Sequence, residues 1–176
     1  EYIMTLTSKI DFAVLFRVKN ANPNGDPLNG NRPRITYEGL GEVSDVCIKR
    51  KIRNRLMQLG HTIFVQSDES RLDEHPSLRS RAEAVLTGLK TQEEKIKKSC
   101  ETWFDVRAFG QAMAFSGKKS GEGVSIPIRG PISIHSAFSL KPVNMTSIQI
   151  TKSVSGEGEG KKKSSDTMGM KHRVDD

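Results

Sequence analysis

Residues 44–60 read SDVCIKRKIRNRLMQLG. Ser44 is a favoured N-cap residue and Gly60 is a favoured residue just past a helix end, so an α-helix is predicted from Ser44 to Leu59. An apolar stripe recurs along it at helical spacing: Ile48, Ile52, Leu56 and Leu59. Because these positions share one narrow arc at 3.6 residues per turn, we expect the stripe to face the core.

Basic residues are concentrated in the same helix. Five of seven consecutive positions are basic, and no acidic residue lies between them: Lys49, Arg50, Lys51, Arg53 and Arg55. Like charges four residues apart repel by roughly a few tenths of a kcal/mol per pair, so a group outside the helix should compensate them. We interpret Lys49, Arg50 and Arg53 as ligands of nucleic-acid phosphates, with a solvated helix face as the alternative.

The segment before this helix has the composition of a loop. Residues 20–34, NANPNGDPLNGNRPR, contain five Asn, three Pro and two Gly and show no periodicity. Asn side chains both donate and accept hydrogen bonds and can contact sugar hydroxyls or bases, although a flexible turn is an equal alternative. Arg32 and Arg34 end the loop directly upstream of the basic helix, so we expect loop and helix to converge on one groove.

Asp26, within this loop, is the candidate for hydrolytic chemistry. Metal-dependent nuclease chemistry needs a cluster of ligands, and local spacing places no second acidic residue near Asp26. A turn-forming role is therefore favoured. The four His and two Cys have no metal-ligand spacing, and no Walker A, G-x-S-x-G or dinucleotide fingerprint occurs.

Further elements are predicted along the rest of the chain. Alternation of apolar residues predicts strands over 10–19 and 124–140, with regular pairing in the latter limited to its later part by Pro127 and Pro131. Residues 61–66 are a candidate short strand. Helices are predicted from Pro76 to about Leu89 and from the capping-box spacing of residues 91–94. The segment 103–110, WFDVRAFG, holds the only Trp.

Two alternating runs near the end of the chain predict a long β-hairpin. They span residues 148–154 and 168–174 and flank a Gly- and Lys-rich tip without apolar residues at 155–165, which is expected to be flexible. Met168 and Met170 stand beside Lys171 and His172. They are interpreted as an apolar wedge next to phosphate contacts, with ordinary strand alternation as the alternative.

Composition narrows the class of protein. The length of 176 residues suits one domain, or one domain with an appendage. The formal net charge of +7 suits a polyanionic partner. No uncharged apolar run approaches the roughly 18 residues that a membrane span needs. Two Cys and the lack of a signal-peptide pattern favour a cytoplasmic protein without membrane association.

Several separated motifs, in order along the chain, resemble one protein family. They are NANPNGDPLNGNRPR, VSDVCIKRKIRNRL, WFDVRAFG, GPISIHSAFS, ITKS and MGMKHRV. From Ile10 onward the chain is similar to the Cas-seven family, the backbone subunit of type I CRISPR Cascade complexes. It is most similar to subtype I-C (the Csd-two type). Family chains continue well beyond the position of Asp176.

The resemblance implies an α+β fold. Its palm is a modified RNA-recognition motif (ferredoxin-like) over residues 1–145 with a helical insertion at about 69–115, and a thumb β-hairpin with a flexible tip protrudes over residues 146–176. It also implies a subunit that binds CRISPR guide RNA, polymerises along it with further copies of itself and other Cascade subunits, and presents it to target DNA for base pairing.

No enzymatic activity, metal or cofactor is implied, and a metal-dependent ribonuclease that uses Asp26 is the alternative. The candidate RNA-binding residues combine those that the family motifs imply with basic and polar neighbours. They are Asn22, Asn24, Asp26, Arg32, Arg34, Ser44, Lys49, Arg50, Arg53, Arg107, Lys152, Met168, Met170, Lys171 and His172.

Overall fold

A computed structural model describes residues 6–115, 124–152 and 168–176. Its helices are α1 (Asp45–Gln58), α2 (Leu78–Leu86), α3 (Gln92–Thr102) and α4 (Phe104–Phe109). Its strands are β1 (Gly25–Asp26), β2 (Arg32–Pro33), β3 (Leu40–Val43), β4 (Gly110–Phe115), β5 (Val124–Arg129), β6 (Ala137–Pro142), β7 (Met145–Thr151) and β8 (Met168–Val174). The strands pair as β1–β2, β3–β6, β4–β5 and β7–β8. The expected α+β class is thereby confirmed.

The chain forms two compact units. Unit 1 consists of Glu1–Glu42 and Phe138–Asp176, and unit 2 is Val43–Ala137. The predicted palm and thumb, divided at residues 145 and 146, follow a different division and stay a prediction. No helix in the described part of the chain is both long enough and apolar enough to cross a membrane.

Unit 2 has an apolar core between its helices and the β4–β5 pair. The rings of Phe64 and Trp103 lie 4.7 Å apart at its centre. The buried members of this core come from several elements: Phe64, Ala82, Leu86, Trp103, Val106, Met113, Ile126 and Ile128. Helix α3 begins with the predicted capping box, in which Thr91 and Glu94 bond each other's backbone N–H groups.

Helix α1 begins and ends close to the predicted positions. The Ser44 hydroxyl accepts a hydrogen bond from the Cys47 N–H, and Gly60 follows the helix with a φ of +86°. The expected core stripe is wrong in part. Leu59 is exposed, the other three members are half-buried, and Met57 is the buried residue of the helix. At 100° per residue, Met57 lies on the opposite face of α1 from the stripe. The rest of unit 2 therefore packs against the Met57 face of the helix.

Residues 61–66 do not form the short strand that was predicted, although Ile63 and Phe64 are buried. The Phe64 and Val65 N–H groups donate to the Asp105 carboxylate. Their carbonyls accept from Arg81 and Arg50 respectively. These side chains thus form the hydrogen bonds that a neighbouring strand would otherwise form with the backbone of residues 64 and 65. Buried N–H and C=O groups need such partners.

Residues 10–19 form no strand either, contrary to their alternating pattern. Phe12 is 70% exposed, and Arg17 binds the Asp176 carboxylate. A strand needs a partner for its N–H and C=O groups, and within the described ranges no strand pairs with this segment.

The predicted strand over 124–140 is two strands. β5 pairs with β4 along its length, and Pro127 stands opposite Ala112. Within the described ranges β5 pairs with β4 alone, and such edge strands are where sheets tolerate proline. Ile126 and Ile128 are buried as expected, but Leu140 on β6 is 91% exposed.

The predicted hairpin is confirmed as the antiparallel pair β7–β8, with Ser147 opposite His172 and Gln149 opposite Met170. The tip at 155–165 lies outside the described residues. Ala21, at the start of the Asn-rich loop, forms a β-bridge with Val174 at the end of β8. Unit 1 therefore joins the loop to the hairpin.

Candidate nucleic-acid interface

Arg53, a candidate phosphate ligand of α1, has a carboxylate partner inside unit 2. Its Nε donates to Asp105 Oδ2 at 2.8 Å, and its guanidinium carbon lies 5.4 Å from the centre of the Phe109 ring. The Arg53 side chain is 12% exposed and the Asp105 side chain is fully buried. Two backbone N–H groups, from Phe64 and Val65, complete the hydrogen bonds to Asp105. The Asp105 carboxylate therefore compensates the charge of Arg53 from outside the helix, as the run of basic residues predicted.

Arg50 lies one turn earlier on the same face of α1. Its Nη1 donates to the Val65 carbonyl at 2.9 Å. Burial lowers the pKa of Arg50, and the nearby charge of Arg53 lowers it further, yet the group stays a cation at neutral pH. Arg50 therefore attaches α1 to the backbone at residue 65, and Arg53 attaches it to α4.

Lys49 has an acidic neighbour one turn earlier in the helix. Its Nζ lies 3.2 Å from Asp45 Oδ2, and this hydrogen bond lowers the pKa of Asp45. The pair is partly exposed to solvent, so it contributes little to stability. Ser44 precedes the pair and caps the helix with its hydroxyl.

Arg107, on α4, is an exposed cation of unit 2. Its guanidinium carbon lies 5.1 Å from the centre of the Phe104 ring, and its Nη1 donates to the Cys100 carbonyl at 3.2 Å. Arg107 thus contacts Phe104 at the start of α4, whereas Arg53 contacts Asp105 and Phe109 of the same helix.

The Asn-rich loop in unit 1 is an ordered turn rather than a flexible one. Asp26 Oδ1 accepts from the Leu28 N–H at 3.2 Å and caps a short 3-10 helix over Pro27–Asn29. Asn22 Nδ2 donates to the Asn31 carbonyl at 2.7 Å, and Asn31 has a left-handed φ of +58°. This use of the Asp26 carboxylate fits the turn-forming role that was favoured for it.

The remaining loop candidates lie along the β1–β2 pair. Arg32 is exposed and donates to Asn29 Oδ1 at 3.2 Å. Arg34 is half-buried, 4.0 Å from Glu42, and Asn24 donates to the Gly25 carbonyl at 3.3 Å. Arg32 is therefore the cation of this loop with the most direct access to solvent.

The hairpin candidates divide into exposed and buried side chains. Met168 is 63% and Met170 55% exposed, and Lys171 and Lys152 are exposed as well. His172 is buried, with its Nδ1 2.8 Å from the Ser147 hydroxyl. Met168 and Met170 thus expose two apolar side chains beside the cation Lys171. The buried His172 instead links the two strands through its contact with Ser147.

Asp105 is the functional residue that the sequence analysis did not assign. An acidic residue inside the aromatic segment WFDVRAFG is a sign of a buried charge with a partner, but the partner lies 52 positions away along the chain. In the described part of the chain, no three His, Cys, Asp or Glu side chains are grouped so that they could hold a metal ion.

Comparison with known proteins places this chain in a family. Residues 8–176 match the family model described as CRISPR-associated protein Cas7. A protein from Haloferax volcanii named CRISPR-associated protein Cas7 is 29% identical over 126 residues, which are 68% of this chain and 36% of that protein. The matched region thus spans about a third of that relative's length. This chain belongs to the CRISPR-associated Cas7 family.

Proposed function

We propose that this chain is a guide-RNA-binding backbone subunit of a type I-C Cascade complex. It binds CRISPR RNA without reading its sequence, assembles with further copies of itself along that RNA and with other Cascade subunits, and leaves target DNA to be read by base pairing. It acts in the cytoplasm and cleaves neither strand. Its palm is a modified RNA-recognition motif, and β7–β8 is the base of its thumb.

One observation in unit 1 carries the proposal. The hairpin exposes Met168 and Met170 beside the exposed cation Lys171, and β8 is joined to the loop that bears Arg32. Exposed methionines in water are unfavourable, but they are suited to packing against bases, while lysine and arginine neutralise phosphates. We expect Lys152 to add a further phosphate contact.

In unit 2, α1 contributes in a different way from the one its composition first indicated. Arg50 and Arg53 hold the helix against residues 64–65 and Asp105. We propose that they approach phosphates only with the N–H groups left over from these bonds. Arg107 and Lys49 are more accessible than Arg53 in this unit. In unit 1, we expect the side chains of Asn22, Asn24 and Arg34 to add polar contacts to RNA.

Binding and assembly on RNA test the proposal. The chain is mixed with guide RNAs of two lengths, and the mass of the complex is measured by light scattering coupled to size exclusion. A backbone subunit gives a mass that rises stepwise with RNA length. A single copy on both RNAs would contradict the proposed assembly.

Incubation of labelled RNA with Mg²⁺ tests the absence of cleavage. Because Asp26 caps the Pro27–Asn29 turn, we expect the RNA to stay intact. Cleavage that Asp26→Asn abolishes would support the ribonuclease alternative instead.

A further inference from the structure

Three side chains in unit 2 form an exposed stack. The ring of His61 lies 4.9 Å from the ring of Phe104, centre to centre, at an interplanar angle of 46°. The Arg107 guanidinium carbon lies 5.1 Å from the centre of the same phenylalanine ring. His61 and Arg107 are exposed, and Phe104 is half-buried. Two planar groups are therefore held against one aromatic ring at the surface.

The backbone around the stack fixes its position. After α1, the Gly60 and His61 N–H groups donate to the carbonyls of Met57 and Leu56, which turns the chain at residue 61. The Phe104 N–H donates to the Thr62 carbonyl at 2.9 Å and so ties the start of α4 to this turn. The stack is thus set on ordered backbone and needs little rearrangement to bind a ligand.

Arg107 is oriented but incompletely used. Its Nη1 is bonded to the Cys100 carbonyl, one of the last carbonyls of α3, and no carboxylate among the described residues forms an ion pair with it. A guanidinium that lies over an aromatic ring, with its carbon 5.1 Å from the ring centre, still offers further N–H donors and a planar surface to a ligand. The His61 imidazole likewise has no hydrogen-bond partner within the described ranges.

We propose that His61, Phe104 and Arg107 form a stacking platform for one unpaired base of a single-stranded RNA. This inference rests on the proposed RNA binding and adds to it a contact with a base rather than a phosphate. Aromatic rings, imidazoles and arginine planes are the groups on which proteins stack single-stranded bases without reading their identity. The remaining N–H groups of Arg107 are then available to the adjoining phosphate.

The alternative is a purely structural role, in which Arg107 donates a hydrogen bond to the Cys100 carbonyl of α3 and covers the Phe104 ring. The two roles differ in one measurable respect. A stacking platform distinguishes an RNA with bases from an RNA of equal length that lacks them, whereas a structural brace or a phosphate contact does not.

The test compares binding of the full chain to two short single-stranded RNAs of equal length, one intact and one with several abasic sites, by fluorescence anisotropy at pH 8. Arg107→Lys and Phe104→Leu keep the formal charge but remove a planar group, and His61→Ala removes the imidazole. We expect each variant to bind the intact RNA about five- to tenfold more weakly, with abasic RNA binding unchanged within about twofold. Arg55→Lys, on the exposed side of α1, is the matched control and should alter neither affinity.

Thermal melting of each variant separates binding from folding. Equal losses on both RNAs, or no loss on the intact RNA, by variants that melt like the wild type would overturn the platform and leave the proposed function intact. If the wild-type chain binds neither RNA, both proposals fail. If Phe104→Leu melts early, His61→Ala and Arg107→Lys, both at exposed positions, decide the question.

Discussion

Asp105, with no exposed side-chain surface, lies 2.8 Å from the Nε of Arg53, a residue 52 positions earlier in the chain. The carboxylate also accepts from the Phe64 and Val65 N–H groups, at 2.7 and 3.1 Å. One side chain therefore connects α1, the strand-free segment at 64–65 and α4. Arg53, which the sequence pattern assigns to a nucleic-acid surface, thus also holds together the interior of unit 2.

Replacing Asp105 by Asn should destabilise unit 2 strongly. The substitution leaves the Arg53 guanidinium without its counter-charge in a buried position, and the introduced amide cannot accept from three donors. Loss of one partner of a buried ion pair costs about 3–5 kcal/mol. Urea unfolding followed by the fluorescence of Trp103, which is buried in the same unit, measures the change.

Glu83→Gln is the matched control for this substitution. Glu83 pairs with Arg79 on an exposed face of α2, with Nε and Oε1 2.8 Å apart. Exposed pairs of this kind contribute about 0.3–0.5 kcal/mol, so the control should unfold close to the wild type. Equal stability of the two variants would contradict the bracing role of Asp105.

Local signals in the sequence predicted α1, α2 and α3, but not the short helix α4. Ser44 and Thr91 cap α1 and α3 through bonds to residues three positions away, which a spacing pattern can reveal. Pairing over long separations could not be predicted in the same way. The alternation of residues 10–19 indicates a strand but not its partner, and the described part of the chain supplies none.

In the candidate site, too, local features could be predicted and contacts between distant residues could not. The basic character of α1 was visible in the sequence, but which of its faces contacts unit 2 depends on Asp105, far along the chain. Met168 and Met170 are exposed, as the wedge interpretation requires and unlike the inward placement of ordinary strand alternation, whereas His172, expected at the RNA, is buried against Ser147. Burial depends on neighbours from other segments, and a period-two pattern does not identify them.

A second buried arginine makes the stability of unit 2 depend on acid. Arg81 donates to Asp73 through Nε and Nη2, at 2.7 and 2.8 Å, and this bonding lowers the pKa of Asp73 from 3.8 to about 2. A carboxyl group with a lowered folded-state pKa stabilises the fold fully above its unfolded-state pKa. That stabilisation is lost as the pH falls towards 2.

Comparison of the wild type with Asp73→Asn between pH 6 and pH 2.5 measures this contribution. The difference in the free energy of unfolding should be constant above about pH 5, and its pH-dependent part should be at most about 2 kcal/mol because Asp73 is 30% exposed. It should shrink between pH 4 and pH 2.5. A difference that does not change over this range would show that the Asp73 charge is not what the arginine binds.

Gly110 is predicted to tolerate no side chain. Its φ is +77°, and a Cβ there would lie 2.4 Å from the Ile128 carbonyl oxygen, where α4 gives way to β4. Gly110→Ala should destabilise unit 2 by about 2–4 kcal/mol, from the positive φ and the backbone clash together.

Gly88→Ala separates the two causes, since Gly88 also has a positive φ, +93°, but nothing lies within 4 Å of a Cβ built there. It should cost only about 1–2 kcal/mol. Thermal unfolding of both variants gives the comparison. A cost at residue 110 no greater than at residue 88 would contradict the close approach of β5.

The salt dependence of RNA binding tests most directly whether the exposed cations Arg32 and Lys171 of unit 1 bind the guide. The double variant Arg32→Ala, Lys171→Ala is compared with Lys9→Ala, whose lysine is paired with Asp11 at an exposed site. On a plot of log affinity against log salt, the double variant should lower the steepness by about 1.4, or about 0.7 for each lost phosphate contact on a single strand. Lys9→Ala should leave it unchanged. A double variant with the affinity and steepness of the wild type would contradict the proposed RNA path.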